Sequence, residues 1–238
     1  MDYLECHRTS SHSRGRRFFT PQAAARGPMP PPYKEYDLET IPLPPVEPRG
    51  LPLEEAILRR RSVRDYSREP LALEELARLL FCGVGVTGPQ EHQRAAPSAG
   101  GLTPIEVYPV INNVEGLERG LYHYDAIGHR LHILRQEDLR GEIAKACLDQ
   151  DFLAEAGIVL VLSAVHRRTG WKYGERAYRY VLLDAGHVAQ NIQLEAVSLG
   201  LGACAVGAFF DEELNRFLGL VEEEEFTVLA VAVGRPLR

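Results

Sequence analysis

The stretch GWKYGERAYRYVLLDAGHVAQN, residues 170–191, decides how the rest of the chain is read. Within and beyond it, Ala177, Val181, Ala185, Val188, Ile192 and Ala196 recur at helical spacing. The pattern predicts one helix from Tyr173 to Leu199, roughly 40 Å long. Its apolar side needs a surface to cover, and the flanking runs supply one. GIVLVLSAV (157–165) and FTVLAVAV (226–233) are apolar enough to be strands covered on both faces. Gly200 follows as the residue that ends the helix. Lys172 and Tyr173 stand side by side at the predicted helix start, either as an exposed polar entry or as a pair that handles a proton.

Working outward, IEVYPVI (105–111) reads as a strand, and GLYHYD and HRLHIL flank a turn with Asp125 and Gly128 as a hairpin. LEEAILRR (53–60) places Leu53, Ala56 and Ile57 on one helical stripe, and LALEELARLLF (71–81) repeats the pattern. Glu137–Cys147 and DEELNRFLGL (211–220) are further helices. Before Leu53 lie ten of the sixteen prolines, too many for continuous helix or ladder. Residues 1–52 are therefore expected to form an extended proline-rich arm, and residues 53–238 a single α+β domain. Tyr33, Tyr36, Leu38, Ile41, Leu43 and Val46 give the arm enough apolar area to wrap over a partner surface.

The 238 residues are 45% hydrophobic, enough to bury a substantial core, and carry a net charge of −6. That balance argues against a protein whose main task is neutralising nucleic-acid phosphates. Cys6, Cys82, Cys147 and Cys204 are far apart, with no zinc spacing and no metal site indicated, as expected of reduced thiols. No apolar run reaches bilayer length and the basic N-terminus lacks an apolar signal core, so a cytoplasmic protein without a membrane partner is expected.

Two glycine patterns, GVGVTG (83–88) and GLGACA (200–205), follow helices rather than strands, which fits helix ends and close packing better than a dinucleotide loop. RRRSVRDY gathers Arg60, Arg61, Ser62 and Arg64 at a helix end, where guanidinium forks and a hydroxyl could converge on a phosphate monoester. A solvated basic run is the other reading. Arg235, in the terminal VGRP, is a second possible phosphate ligand. APSAGGLTP offers small residues and backbone N–H groups to a flat polar ring, though an ordinary loop would look similar. His187 reads as a packed core histidine, and Glu222–Glu225 as a solvated acidic turn.

Taken in order, RRSVRDY, APSAGGLTPIEVY, GLYHYD, WKYGERAYRYVLLDAGHVAQN, GLGACAVGAF and VGRP resemble the nitroreductase superfamily of FMN enzymes, from about Leu53 to Pro236. More closely they resemble its SagB-type dehydrogenase branch, which includes azoline oxidases of thiazole/oxazole-modified peptide pathways. The resemblance implies a nitroreductase-like α+β sandwich, a mixed, mainly antiparallel sheet flanked by helices. It also implies a homodimer with FMN at the interface. Arg60, Arg61, Ser62 and Arg64, joined by Arg235, match the phosphate and ribityl contacts. Pro97, Ser98, Ala99, Gly100 and Gly101 match a segment that reaches the flavin from the other subunit. Val206, Gly207 and Ala208 match the isoalloxazine edge, and Gln150 its pyrimidine side. Lys172 and Tyr173 match a pair implicated in azoline oxidation, in which a base removes a proton while hydride leaves for N5. Two alternatives stay open: an NAD(P)H-dependent nitro or quinone reductase, and a non-catalytic flavin-binding subunit of a peptide-modification complex.

Overall fold

In the computed structural model, which describes residues 27–237 together with Glu5, Arg8, Ser10 and Ser11, the chain builds one sheet with helices on both faces. The strands are β1 Thr40–Pro42, β2 Ile105–Ile111, β3 Gly120–Asp125, β4 Arg130–Arg135, β5 Ile158–Ala164, β6 Gly202–Val206 and β7 Phe226–Gly234. The helices are α1 Leu53–Arg59, α2 Leu73–Val84, α3 Arg140–Ala146, α4 Phe152–Glu155, α5 His166–Tyr173, α6 Ala177–Ser198 and α7 Asp211–Leu218. Spatial order is β1-β4-β3-β2-β5-β7-β6, and every pairing between these strands is antiparallel.

Strand alternation splits the core between the two faces. Ile158, Leu160 and Leu162 of β5 and Val231 and Val233 of β7 pack on the side of α2 and α6. Val159, Val161, Ala230 and Ala232 point the other way, towards α3, α4 and α7. Helices α2 and α6 cross at Gly83, where a Cβ would stand 3.0 Å from Ile192 Cγ1, so that glycine serves packing. Gly200, at φ +74°, turns the chain out of α6.

The long helix is shorter than its periodicity predicts. Gly174, at φ 56° and ψ −139°, occupies a region that residues with a Cβ avoid, and it divides the segment into α5 and α6. Lys172 and Tyr173 therefore close a separate helix instead of opening the long one.

Three further expectations are corrected. Leu53 and Ile57 are 62% and 52% exposed, and of the predicted α1 stripe only Ala56 is buried. His187 faces out of α6 and is exposed, because the buried side of that helix runs through Val181, Asp184, Ala185 and Val188. Glu225 belongs to no solvated turn: it is buried and accepts hydrogen bonds from Ser163 Oγ at 2.6 Å, Tyr108 Oη at 2.8 Å and Lys34 Nζ at 2.6 Å. Lys34 comes from the proline-rich segment. The same segment adds β1 to the edge of the sheet, Ile41 opposite Leu131, and buries Leu43.

Candidate functional site

The residues singled out by sequence fall into two groups. The first gathers around the edge strand β6. Ser62 bridges to Ala203, and Val63 N–H donates to the Ala203 carbonyl at 3.0 Å. Ser67 N–H donates to the Arg235 carbonyl at 2.8 Å, and Leu237 N–H to the Asp65 carbonyl at 3.0 Å. Segment 62–67 is thus clamped between the start of β6 and the end of the chain. Gly202 permits the close approach, since a Cβ there would lie 2.7 Å from Val63 Cβ.

Among the described residues, Arg60 and Arg64 form no ion pair, and the Arg64 guanidinium sits over the Phe152 ring, 5.9 Å from its centroid. Arg61 folds back on the end of α1, donating to the Leu58 and Arg60 carbonyls at 3.0 and 2.7 Å. Arg235 reaches the same end of the sheet, where its Nη2 donates to Glu75 Oε2 at 2.9 Å. Further along the edge Val206 is buried while Gly207 and Ala208 are exposed. Gln150 Nε2 donates to the Ala208 carbonyl at 2.9 Å, so α3–α4 and the β6–α7 loop are tied together there. The charges of Arg60 and Arg64, which have no carboxylate partner among the described residues, followed by an open edge of small residues, suit a ligand with an anionic end and a flat polar end. These are the features that FMN requires.

The second group lies at the start of β2. Ser98 Oγ donates to Asp184 Oδ2 at 2.8 Å, and Ala99 N–H to the same oxygen at 3.1 Å. Thr103 N–H donates back to Ser98 Oγ at 2.9 Å. Pro97 stands exposed at the entrance to this turn, and Gly100 and Gly101 both adopt φ +67°. A Cβ on Gly100 would lie 2.7 Å from Tyr173 Oη and 3.1 Å from Lys172 Nζ, so the loop and the Lys-Tyr pair meet within one chain. The Tyr173 ring packs edge-on against Tyr180, with centroids 4.9 Å apart.

The two groups are far apart in a single chain. The loop lies beside Ile105, which is level with Ala164 and Phe226, whereas Ser62 lies beside Ala203, level with Val233. Three strand spacings, roughly 14 Å, and seven residues along β7, roughly 23 Å, separate them. Helix α6, roughly 33 Å long, spans the same interval.

Three buried residues of the second region, Asp184, Glu106 and the Arg168 that pairs with it, escaped the sequence reading. Burial raises the Asp184 carboxyl above the ordinary range, opposed by the bonds from Ser98 and Ala99. Its signal was an acid on the apolar stripe between Val181 and Val188. Glu106, inside the apolar run of β2, faces His123 Nε2 at 2.8 Å and Arg168 Nη2 at 2.6 Å. Burial acts to raise its carboxyl, but the hydrogen bond from His123 and the charge of Arg168 outweigh it and hold the group at about 2. The Arg168 contact is one of charge more than of aligned N–H geometry, because Glu106 Oε1 has no well-directed donor.

Residues 57–235 match the model of the nitroreductase family. A nitroreductase-family protein of Methanocaldococcus jannaschii is 41% identical over 201 residues, covering 84% of this chain and 98% of that protein. The microcin B17-processing protein McbC of Escherichia coli is 27% identical over 160 residues, 64% of this chain and 58% of McbC. Among solved structures, a nitroreductase-family protein of Ralstonia eutropha superposes with TM-score 0.72 at 31% identity, covering 89% of this chain and 96% of that one.

Proposed function

The chain belongs to the nitroreductase family, and from that premise we propose that it is an FMN-dependent oxidoreductase of the SagB type, a dehydrogenase of small heterocyclic or peptide-derived azolines. The observation that carries this is the meeting of Lys172 Nζ and Tyr173 Oη at Gly100 of the loop. A plain reductase has no need of a base at that place.

Arg60, Arg61, Ser62 and Arg64 would hold the FMN phosphate and ribityl chain. Arg235 would join them by exchanging Glu75 for the phosphate. Val206, Gly207 and Ala208 line the flavin edge, with Gln150 beside its pyrimidine end. Pro97–Gly101 of a second copy would cover the ring, and because Lys172 and Tyr173 at the end of α5 meet that loop at Gly100, the second copy would bring them too. A homodimer with two sites follows. Bound FMN supplies the hydride acceptor, at N5. Lys172 would take the proton from one azoline ring carbon while hydride leaves the neighbouring carbon. The electron pair left by the proton becomes the new ring double bond. Tyr173 orients the ammonium that forms. Turnover would require an external acceptor for the two electrons removed from the azoline.

A nitro or quinone reductase fed by NAD(P)H is the second reading, favoured by the near full-length similarity to the M. jannaschii and R. eutropha proteins. Anaerobic titration of the purified yellow protein separates the two. Bleaching by a thiazoline-containing peptide, with resistance to NADH and NADPH, is expected. Ready bleaching by a nicotinamide and none by the thiazoline would establish the reductase.

A further inference from the structure

A line of buried polar groups joins the sheet to both parts of the second half-site. Arg168, on α5, is 3% exposed and stands four residues before Lys172, one turn away on the same face. Its Nη2 contacts Glu106 of β2 at 2.6 Å, and its Nη1 donates to the Thr103 carbonyl at 2.9 Å. Glu106 is itself braced by His123 of β3. Thr103 N–H holds Ser98 Oγ, which holds Asp184 of α6. Thr103 is a β-branched residue at φ 43°, a conformation that persists only where the surroundings impose it. The Arg168 hydrogen bond to its carbonyl is one such restraint. A single guanidinium, carried by the same helix as the Lys-Tyr pair, thus touches both the strand and the base of the loop.

We propose that Arg168 is a positioning residue: anchored on Glu106, it sets the approach of Lys172 and Tyr173 to the Pro97–Gly101 loop. Its catalytic consequence rests on the assignment of Lys172 as the base. The fork geometry is what matters, because an ammonium on a lysine stem can serve Glu106 or the Thr103 carbonyl but not span both. Misplacement by about an ångström lowers a rate on the order of 10²-fold.

The test uses the FMN-loaded full chain, with Arg168→Lys and the double variant Glu106→Gln/Arg168→Met. The double variant removes both charges, so that neither is left buried alone. Amide hydrogen exchange is followed alongside flavin reduction by a thiazoline peptide and by dithionite. Both variants are expected to bind FMN and melt cooperatively, with exchange about tenfold faster or more in residues 97–103 and 170–174 and unchanged in β5 and β7. The thiazoline rate constant kcat should fall on the order of 10²-fold with KM little altered, while dithionite reduces all three proteins alike. Unchanged exchange in the two segments, or an equal rise throughout the sheet, overturns the positioning role. Localised exchange with an unaltered kcat overturns its catalytic consequence. A wild-type flavin that thiazoline never reduces sinks the proposed oxidation instead, and the exchange data then decide the positioning role alone.

Discussion

Glu106 ties the stability of the sheet to the proposed positioning of Lys172 through its contact with Arg168. Its carboxyl titrates at about 2 in the folded chain, below the ordinary value of about 4.3. A depressed carboxylate contributes stability that is complete above the ordinary value and is lost as pH falls through the folded one. Acid melting between about pH 4 and pH 2 should therefore be steeper in the wild type than in Glu106→Gln, as followed by Tm against pH. At neutral pH the same substitution leaves Arg168 buried without its partner and should cost about 3–5 kcal/mol in denaturant unfolding. An equal acid slope in the two proteins would show that Glu106 is not the group that titrates.

Among the elements, the junction between α5 and α6 explains where periodicity fell short. Apolar spacing runs through Tyr173–Leu199 without interruption, and a single glycine in such a pattern does not by itself announce a break. Only the backbone angles of Gly174 reveal it. Gly174→Ala should destabilise by about 1–3 kcal/mol and slow thiazoline oxidation without loss of FMN, because strain there displaces Lys172 and not the arginines. Gly202→Val acts at the opposite end. It pushes Val63 away from β6 and should weaken FMN binding, measured by flavin fluorescence on titration, with about 1–3 kcal/mol lost in stability. Strands β2, β3, β4, β5 and β7 were legible because apolar runs bounded by turn residues have few alternatives. Strands β1, inside the proline-rich segment, and β6, overlapping GLGACA, were not, since three or five small or proline-flanked residues carry no alternation of their own. The burial of Glu225 was not, since its partners Lys34, Tyr108 and Ser163 are distant in sequence.

At the scale of the whole molecule, the separation of the two half-sites is the feature that sequence order could not show. Both motif groups were visible as strings, but which of them meet within one chain depends on the sheet. In the proposed homodimer a second copy would resolve the separation, and exposed apolar side chains offer it a surface. Tyr178, Leu182 and Leu183 of α6 and Leu53, Ile57 and Leu58 of α1 are exposed, and Gly186 has open space where a Cβ would stand. Light scattering is expected to give a dimer, and Leu182→Glu/Leu183→Glu a monomer that has lost FMN. A monomer that keeps the flavin would place the whole site within one chain. The central claim, a base presented to a flavin-bound substrate, is tested most directly by anaerobic stopped-flow reduction with a thiazoline peptide, comparing wild type with Lys172→Ala. The expected result is rapid bleaching of the wild-type flavin band and a variant that stays yellow with FMN fully bound; equal bleaching in both proteins would contradict it.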